Sequence, residues 1–254
     1  MTVWRALCVL VLCLAIACTP AVVPLRDALP TDALRVGIDA SNPPFAFPND
    51  GDDPPYAGFE IDLARALAIR LDVPLIFVGL GFDGLYDALA ADRADVVIAA
   101  LPIDPARLGA VNFSLPYFNA GWVLVSADPT VRRMDDLAGK RLAFEYGAIG
   151  HALAIEWTRR IAPFTLLPRA NPTDALALVT SAQADAALLD AVSARLIVRD
   201  LDWGLSMSVV KDSLFAAATR ADRRSVSAAI DQAMQALLSE GVIDALASRW
   251  FDEK

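Results

Sequence analysis

Two side chains of opposite charge, Arg107 and Asp190, head the residues of this sequence that can do chemistry. An arginine offers a planar fork that matches a carboxylate with two parallel hydrogen bonds, and an aspartate can hold an ammonium group. Asp39, Asn42 and Phe45 stand in one short stretch, Phe82 in a loop between Gly79 and Gly84, and Pro102 and Asp104 just ahead of Arg107. Further along, Glu145, Gly147, Ala148 and Gly150 make a glycine loop before a helix, where free backbone N–H groups favour an anion. Together they read as a site for a zwitterion. Arg107 and the amides after Gly147 take its anion, Asp190 and Asp39 its ammonium, and Phe45 and Phe82 sandwich its side chain.

Each member also has a plainer structural reading. Arg107 can be a surface ion-pair partner, Phe45 and Phe82 core aromatics, and Asp39 the anchor of its own turn. Asp190 can cap a helix starting near Ala191. The lone histidine, His151, reads as a residue at a helix terminus rather than as a catalyst. No GxSxG, phosphate-loop or dinucleotide fingerprint occurs, and no paired ligand spacing suggests a metal, so no cofactor is expected.

The candidates share a position: they stand at the ends of segments that read as strands. Leu34–Ile38, Leu75–Val78, Val96–Ala100, Arg141–Phe144 and Ala186–Leu189 are short, branched or apolar runs. Between them lie helical patterns at Phe59–Leu71, Gly84–Ala91 and Ala152–Arg160, and a long amphipathic stripe follows from Val226 to Leu238, with a short helix ending at Trp250-Phe251. Strands alternating with helices predict a mostly parallel sheet covered on both faces. The order recurs: Asp87-Ala88-Leu89 before Ala94-Asp95 is echoed by Asp174-Ala175-Leu176 before Ala184-Asp185, with a spacer three residues longer. The expectation is therefore α/β with two similar lobes, the ligand lying outside the carboxyl ends of the strands.

The first residues fix the compartment. Arg5 precedes an apolar run from Ala6 to Ala17 that ends at Cys18, the layout of a secretory signal. The run is too short to span a bilayer, which takes about 20 apolar residues. Leu14-Ala15-Ile16-Ala17-Cys18 resembles a lipobox, which makes residues 1–17 a signal peptide and Cys18 a lipidated N-terminus, with ordinary cleavage near Ala17 as the alternative. Residues 18–32, with Pro20, Pro24 and Pro30, then form the tether. All three cysteines (Cys8, Cys13, Cys18) lie in this leader, so the body has no thiol for a disulfide, a metal or a nucleophile. Without Arg5 the chain carries 21 basic and 31 acidic residues, a net −10, which argues against nucleic acid as a partner. Its 56% apolar content, with no second long apolar stretch, supports one sizeable soluble body.

From about Ala33 to Phe251 the sequence resembles the bacterial extracellular solute-binding proteins that feed polar amino acids to ABC transporters. The segments that carry the resemblance are Pro43-Pro44-Phe45, Gly58-Phe59-Glu60-Ile61-Asp62-Leu63-Ala64, Phe82-Asp83-Gly84-Leu85 and Ala94-Asp95-Val96-Val97-Ile98-Ala99. Pro105-Ala106-Arg107, Phe113-Ser114-Leu115-Pro116-Tyr117, Asp136-Leu137-Ala138-Gly139-Lys140-Arg141 and Ala184-Asp185 through Asp190 continue it. The resemblance implies a two-lobed periplasmic-binding-protein fold of type II, joined by two crossover strands near 117–122 and 213–218. One lobe is then 33–117 plus 218–254, and the other 122–213. It implies a monomeric, non-catalytic binder in the periplasm or outside the cell, held by a lipid on Cys18 and read by an ABC permease. Its ligand set is Asp39, Asn42, Phe45, Phe82, Ala100, Pro102, Arg107, Gly147, Ala148 and Asp190. In the family an arginine matching Arg107 grips the ligand carboxylate and an aspartate matching Asp190 the amino group.

Two positions depart from the family pattern. Pro102 stands where a threonine is usual and has no N–H to donate. Ala148 replaces the threonine of a Gly-Thr pair and loses its hydroxyl. Both losses fall on the carboxylate side and predict a weaker or differently placed anion. A cyclohexadienyl-dehydratase-like enzyme, with Asp39, Glu145 or Asp190 as acid and base, and a ligand-sensing module are the alternatives on the same fold.

Overall fold

The computed structural model describes residues 29–51, 55–201 and 204–253. The leader, Cys18 and most of the tether fall outside these residues.

The apolar run of β1 (Leu34–Ile38) is almost wholly buried and opens the first sheet. A small hairpin of β2 (Phe47–Pro48) and β3 (Tyr56–Ala57) leads into α1 (Phe59–Leu71). This helix carries Glu60 and Asp62 in its first turn and Arg70 in its last, matching its dipole. Its apolar stripe of Phe59, Ile61, Leu63, Ala64 and Leu67 is fully buried. Asp72, with φ 53°, closes the helix as its amide bonds back to the Ile69 carbonyl.

The chain continues through β4 (Leu75–Gly79), α2 (Leu85–Ala90) and β5 (Val96–Val97). Both β4 and β5 run parallel to β1, one on each side. After β6 (Val111–Asn119) it enters the second sheet with β7 (Trp122–Ser126). There β8 (Arg141–Glu145), α3 (Ile149–Trp157), β9 (Thr165–Arg169), α4 (Pro172–Thr180), β10 (Ala186–Asp190), α5 (Ala191–Val198) and β11 (Ser206–Lys211) follow. The return strand β12 (Leu214–Arg220) belongs to the first sheet again, and α6 (Arg224–Ser239) and α7 (Val242–Ala247) complete that lobe with a final π-helical turn over Ser248–Asp252.

The strand orders are β4-β1-β5-β12-β6 and β11-β7-β10-β8-β9. Each sheet holds three mutually parallel strands, β4-β1-β5 or β10-β8-β9. The long strands on either side of the crossings add antiparallel pairs, so both sheets are mixed. The expected limits at 117 and 218 fall inside β6 and β12, because continuous strands run up to each crossing. The chain crosses between Asn119 and Trp122 and returns between Lys211 and Leu214.

The two crossings lie side by side. A side chain on Gly121 would overlap the Lys211 carbonyl oxygen, so only glycine allows this approach. Asn119 stitches the pair: Oδ1 accepts from the amides of Gly121 (3.0 Å) and Ser213 (3.1 Å), and Nδ2 donates to Asp212 (2.7 Å).

Three elements depart from the periodicity. Strand β5 stops at Val97, three residues short of the expected end, because the Ala100 amide leaves the ladder for side chains. Helix α3 begins at Ile149 and ends at Trp157, three residues earlier at each end than expected. The first turn escapes a period search because Gly150 lies in it. Its hydrogen presses on Trp122, whose ring a Cβ would overlap. Strands β9 and β11, half-buried and mixed in polarity, and β7, almost wholly buried, lie outside the expected strands, while β6 and β12 extend well beyond the expected crossover segments.

Candidate ligand-binding site

In the first lobe the carboxyl ends of β1, β4 and β5 share one edge, as parallel pairing requires. Asp39 follows β1, Phe82 opens a 3-10 turn (Phe82–Gly84) after β4, and Ala100 lies three residues beyond β5. In the second lobe Gly147 follows β8 and Asp190 ends the parallel neighbour β10. Open α/β sheets place ligands outside such ends.

Ala100 is held from below. Its φ is +48°, the left-handed region that alanine enters only at a cost. Its amide donates to Glu60 Oε1 at 2.6 Å and lies 3.1 Å from the Tyr117 hydroxyl, which itself donates to Glu60 Oε1 at 2.5 Å. Glu60 is 1% exposed. Desolvation is the largest influence and raises its carboxyl to about 7, a neighbouring Asp39 charge adds to the rise, and the donors from Tyr117 and Ala100 oppose it. Burial, then the Glu60 charge, push the Tyr117 phenol well above its ordinary range. The sequence did not single out Glu60 or Tyr117. The available signal was an acid set among buried apolar residues, Phe59 and Ile61, at a helix start.

Asp39 is half-buried and accepts the Ser41 amide at 3.1 Å. Asn42 is exposed, in a turn bridged to Ala46. Phe82 is 49% exposed, a free aromatic face at the strand ends.

Phe45 corrects the expectation of a ligand contact. Its ring is 2% exposed and packs against Phe59, Phe118, Phe215 and Phe251, with centroids 5.0–6.2 Å away. The backbone forces this. The Pro44 and Phe45 carbonyls accept the Phe59 and Glu60 amides, closing the N-terminus of α1. Gly58, with φ 133°, lets that loop approach closely, since a Cβ would overlap the Phe45 carbonyl. The ring therefore turns inward as core.

Pro102 is exposed and bridges Phe215. Its neighbours bond to β12, Ile103 N to Leu214 O (3.0 Å) and Ala216 N to Leu101 O (3.1 Å), so Pro102's own nitrogen points away from β12. A donor lost there is lost from the side that faces away from β12.

Arg107 is half-exposed. Its guanidinium stacks 4.5 Å above the Tyr86 ring, with Asp104 at 3.9 Å. It borders a cavity of about 450 Å³ with Tyr86, Asp87, Arg220 and Asp222. Its Nε faces Asp104, and the stack leaves the Nη groups available to a planar anion.

Across the crossing, α3 starts at Ala148 without any side-chain cap. The Gly147 amide (φ 85° at Gly147) donates to His151 Nδ1 at 3.2 Å, and the His151 ring stacks between Phe144 and Tyr146. The histidine thus buttresses the glycine turn and takes the first amide of the anion site for itself. Asp190 caps α5, its Oδ1 accepting the Ser193 amide at 2.8 Å, which leaves Oδ2 for a ligand ammonium. From the same helix Arg195 reaches the first lobe. It pairs with Asp252 (2.8 and 2.5 Å) and lies over the Phe118 and Phe251 rings.

Among the described residues no group of three or more His, Cys, Asp or Glu side chains forms a candidate metal site, and no helix is long and apolar enough to cross a membrane.

The chain is 29% identical over 236 residues to the lysine/arginine/ornithine-binding periplasmic protein of Escherichia coli K12, covering 89% of each. It is 27% identical over 224 residues to that organism's L-cystine-binding protein, covering 86% of this chain and 82% of the other. Among solved structures, the unliganded open L-cystine solute receptor of Neisseria gonorrhoeae superposes with a TM-score of 0.72 at 22% identity, over 87% of this chain and 93% of that one. An ancestral cyclohexadienyl dehydratase does so with a TM-score of 0.72 at 23% identity, over 86% and 92%. At these identities the two structures show a shared fold: type II periplasmic-binding-protein architecture. The model of the bacterial extracellular solute-binding proteins, family 3, matches residues 34–253, and the chain belongs to that family.

Proposed function

We propose that this chain captures a basic or zwitterionic amino acid outside the cytoplasm and hands it to an ABC permease, held at the membrane by a lipid on Cys18. The observation that carries the reading is the distribution of charge in the segments that follow the strands. The Arg107 guanidinium, stacked on Tyr86 with its Nε toward Asp104, stands on one lobe. An uncapped helix start at Ala148 and an aspartate, Asp190, stand on the other. Asp39 after β1 and exposed Phe82 after its parallel neighbour β4 add an acidic and an aromatic group that suit a cationic side chain. The lysine/arginine/ornithine-binding relative supports that ligand class. Residues 33–119 with 214–254 form one lobe and 122–211 the other. Ligand bridging them shifts the pair toward closure, the form a permease reads.

The reading takes the chain as a binder rather than a catalyst. In its support, the relatives of known ligand are binding proteins for lysine, arginine, ornithine and L-cystine. Isothermal titration with basic, neutral and acidic L-amino acids tests the proposal. L-Arginine or L-lysine is expected to bind, and Arg107→Ala to weaken it about tenfold or more, the worth of a charge-assisted pair. Binding that survives Arg107→Ala unchanged overturns the carboxylate assignment, and turnover of prephenate or arogenate overturns the binder reading.

A further inference from the structure

We propose that Glu60 is a positioning residue for ligand capture: by holding Ala100 in its left-handed turn it sets the path of the strap from Ala99 to Ile103, and with it the affinity of the site. The proposal rests on the reading of this strap and of the loop from Asp39 to Ala46 as parts of the binding edge. It adds the residue that ties the two together.

Glu60 bonds to three separate stretches of chain. Its own amide, in the first turn of α1, donates to the Phe45 carbonyl at 2.8 Å, in the loop that carries Asp39 and Asn42. Its Oε1 accepts the Ala100 amide at 2.6 Å and the Tyr117 hydroxyl, from β6, at 2.5 Å. The Ala100 amide also lies 3.1 Å from that hydroxyl, so the three groups close a triangle. Glu60 is 1% exposed and Tyr117 4%, which keeps water from competing for these bonds.

The strap needs such a hold. At one end the Ile98 amide donates to the Gly37 carbonyl of β1 (3.0 Å), and at the other the Leu101 carbonyl accepts the Ala216 amide of β12 (3.1 Å). Between these anchors the chain turns from one neighbour to the other through Ala100. Its φ of +48° is a conformation that costs alanine free energy and that glycine enters freely. The bond to Glu60 offsets that cost and holds the amide inward. Without an acceptor there, an extended Ala100 becomes the more stable conformer, and the strap samples paths other than the one a ligand needs. The ligand then meets an edge it must first reorder, which lowers affinity although every group that touches it is still present.

Glu60→Met fills the same space without an acceptor, and Glu60→Gln keeps an acceptor of the same reach. In isothermal titration, Glu60→Met is expected to bind L-arginine about tenfold more weakly, the worth of one lost hold on a left-handed alanine, and Glu60→Gln to lose clearly less. Ala100→Gly added to Glu60→Met is expected to return most of the lost affinity, because glycine needs no acceptor to enter the turn, while the melting temperature stays lowered. A merely structural Glu60 would lower the melting temperature and leave the affinity of the folded chain unchanged. A folded Glu60→Met that binds as tightly as wild type, or a double variant that binds no better than Glu60→Met, overturns the proposal. Amide exchange on the wild type decides the matter if Glu60→Met does not fold. Ala100 lies outside every strand, yet its amide is expected to exchange at least about tenfold more slowly than an unbonded loop amide, and exchange at the open-loop rate overturns the proposal. The carbon-13 shifts of Ala100 decide it if L-arginine does not bind. A left-handed Ala100 that relaxes in Glu60→Met upholds the hold on the strap and removes only the assigned ligand class, and one that stays left-handed overturns the proposal.

Discussion

The two lobes use one device at the root of their sheets. In the first, Arg35 on β1 grips Asp95, which precedes β5: Nη2 to Oδ1 is 2.7 Å, Nε to Oδ2 3.0 Å, and the Arg35 amide to Oδ2 2.9 Å. In the second, Arg141 on β8 grips Asp185, which precedes β10, at 3.1, 3.1 and 2.7 Å through the same atoms. Both arginines also donate to the carbonyl of a left-handed residue, Asp92 or Ala182. The difference is solvent. The first pair is 15% and 4% exposed at its side chains, the second 42% and 32%. One geometry thus serves as a buried clasp in one lobe and a half-open surface pair in the other, and its worth follows burial rather than shape.

Asp95→Ala gives the largest expected effect. It strands a buried guanidinium and the Arg35 amide and is expected to cost about 3–5 kcal/mol in urea denaturation. Asp185→Ala is expected to cost clearly less, since water reaches its partner. Equal losses in the two variants would break the comparison.

Next in size is the response to pH, which has opposite signs in the two lobes. The Glu60 carboxyl is raised by burial from 4.5 to about 7. The native state therefore holds its proton more tightly than the unfolded chain does. Its contribution is fully present below about 4.5 and is lost as pH rises through about 7, on the order of 3 kcal/mol at most. Asp185 is lowered, first by its hydrogen bond from Arg141, so its contribution is present above its ordinary range and lost as pH falls. Melting temperatures between pH 4 and pH 8 are expected to lose their decline toward neutral pH in Glu60→Gln and to keep it in Asp185→Asn.

The smallest effect concerns the link between lobes. Arg195→Ala and Asp252→Asn are each expected to cost about 0.5–1 kcal/mol, and the double variant no more than the larger single one. Strict additivity would show that the Arg195–Asp252 contact carries no energy between the lobes.

Much of this fold is legible in the sequence because its signals are local. The stripe of α1 and the branched run of β1 are set by residues that bury their own side chains wherever they meet a partner. The site is less legible because it depends on contacts far apart in the chain. Phe45 reads as a loop aromatic, yet Gly58 turns it into the core. Ala99 and Ala100 read as strand, yet a glutamate 40 residues earlier takes the Ala100 amide and ends the strand. Asp190 ends β10, but Arg107 stands in a 3-10 turn ten residues past β5, and its fork's direction depends on rings such as Tyr86 that no spacing reveals. The duplicated clasp was half visible, as the recurring Ala-Asp before β5 and β10. Its arginines, one strand away, were not.

The position of β12 also sets an order in time. The strand lies between β5 and β6, yet more than ninety residues separate its start from the end of β6. On a chain made from its N-terminus, all five strands of the second sheet exist before the first sheet can receive its fourth. Until then β6 has no neighbour in its own sheet, and Val97, the Leu101 carbonyl and the Ser114 hydroxyl wait for Ala216–Ala218. The lobe that begins first finishes last, so an interrupted chain would hold a completed second sheet and an open first one.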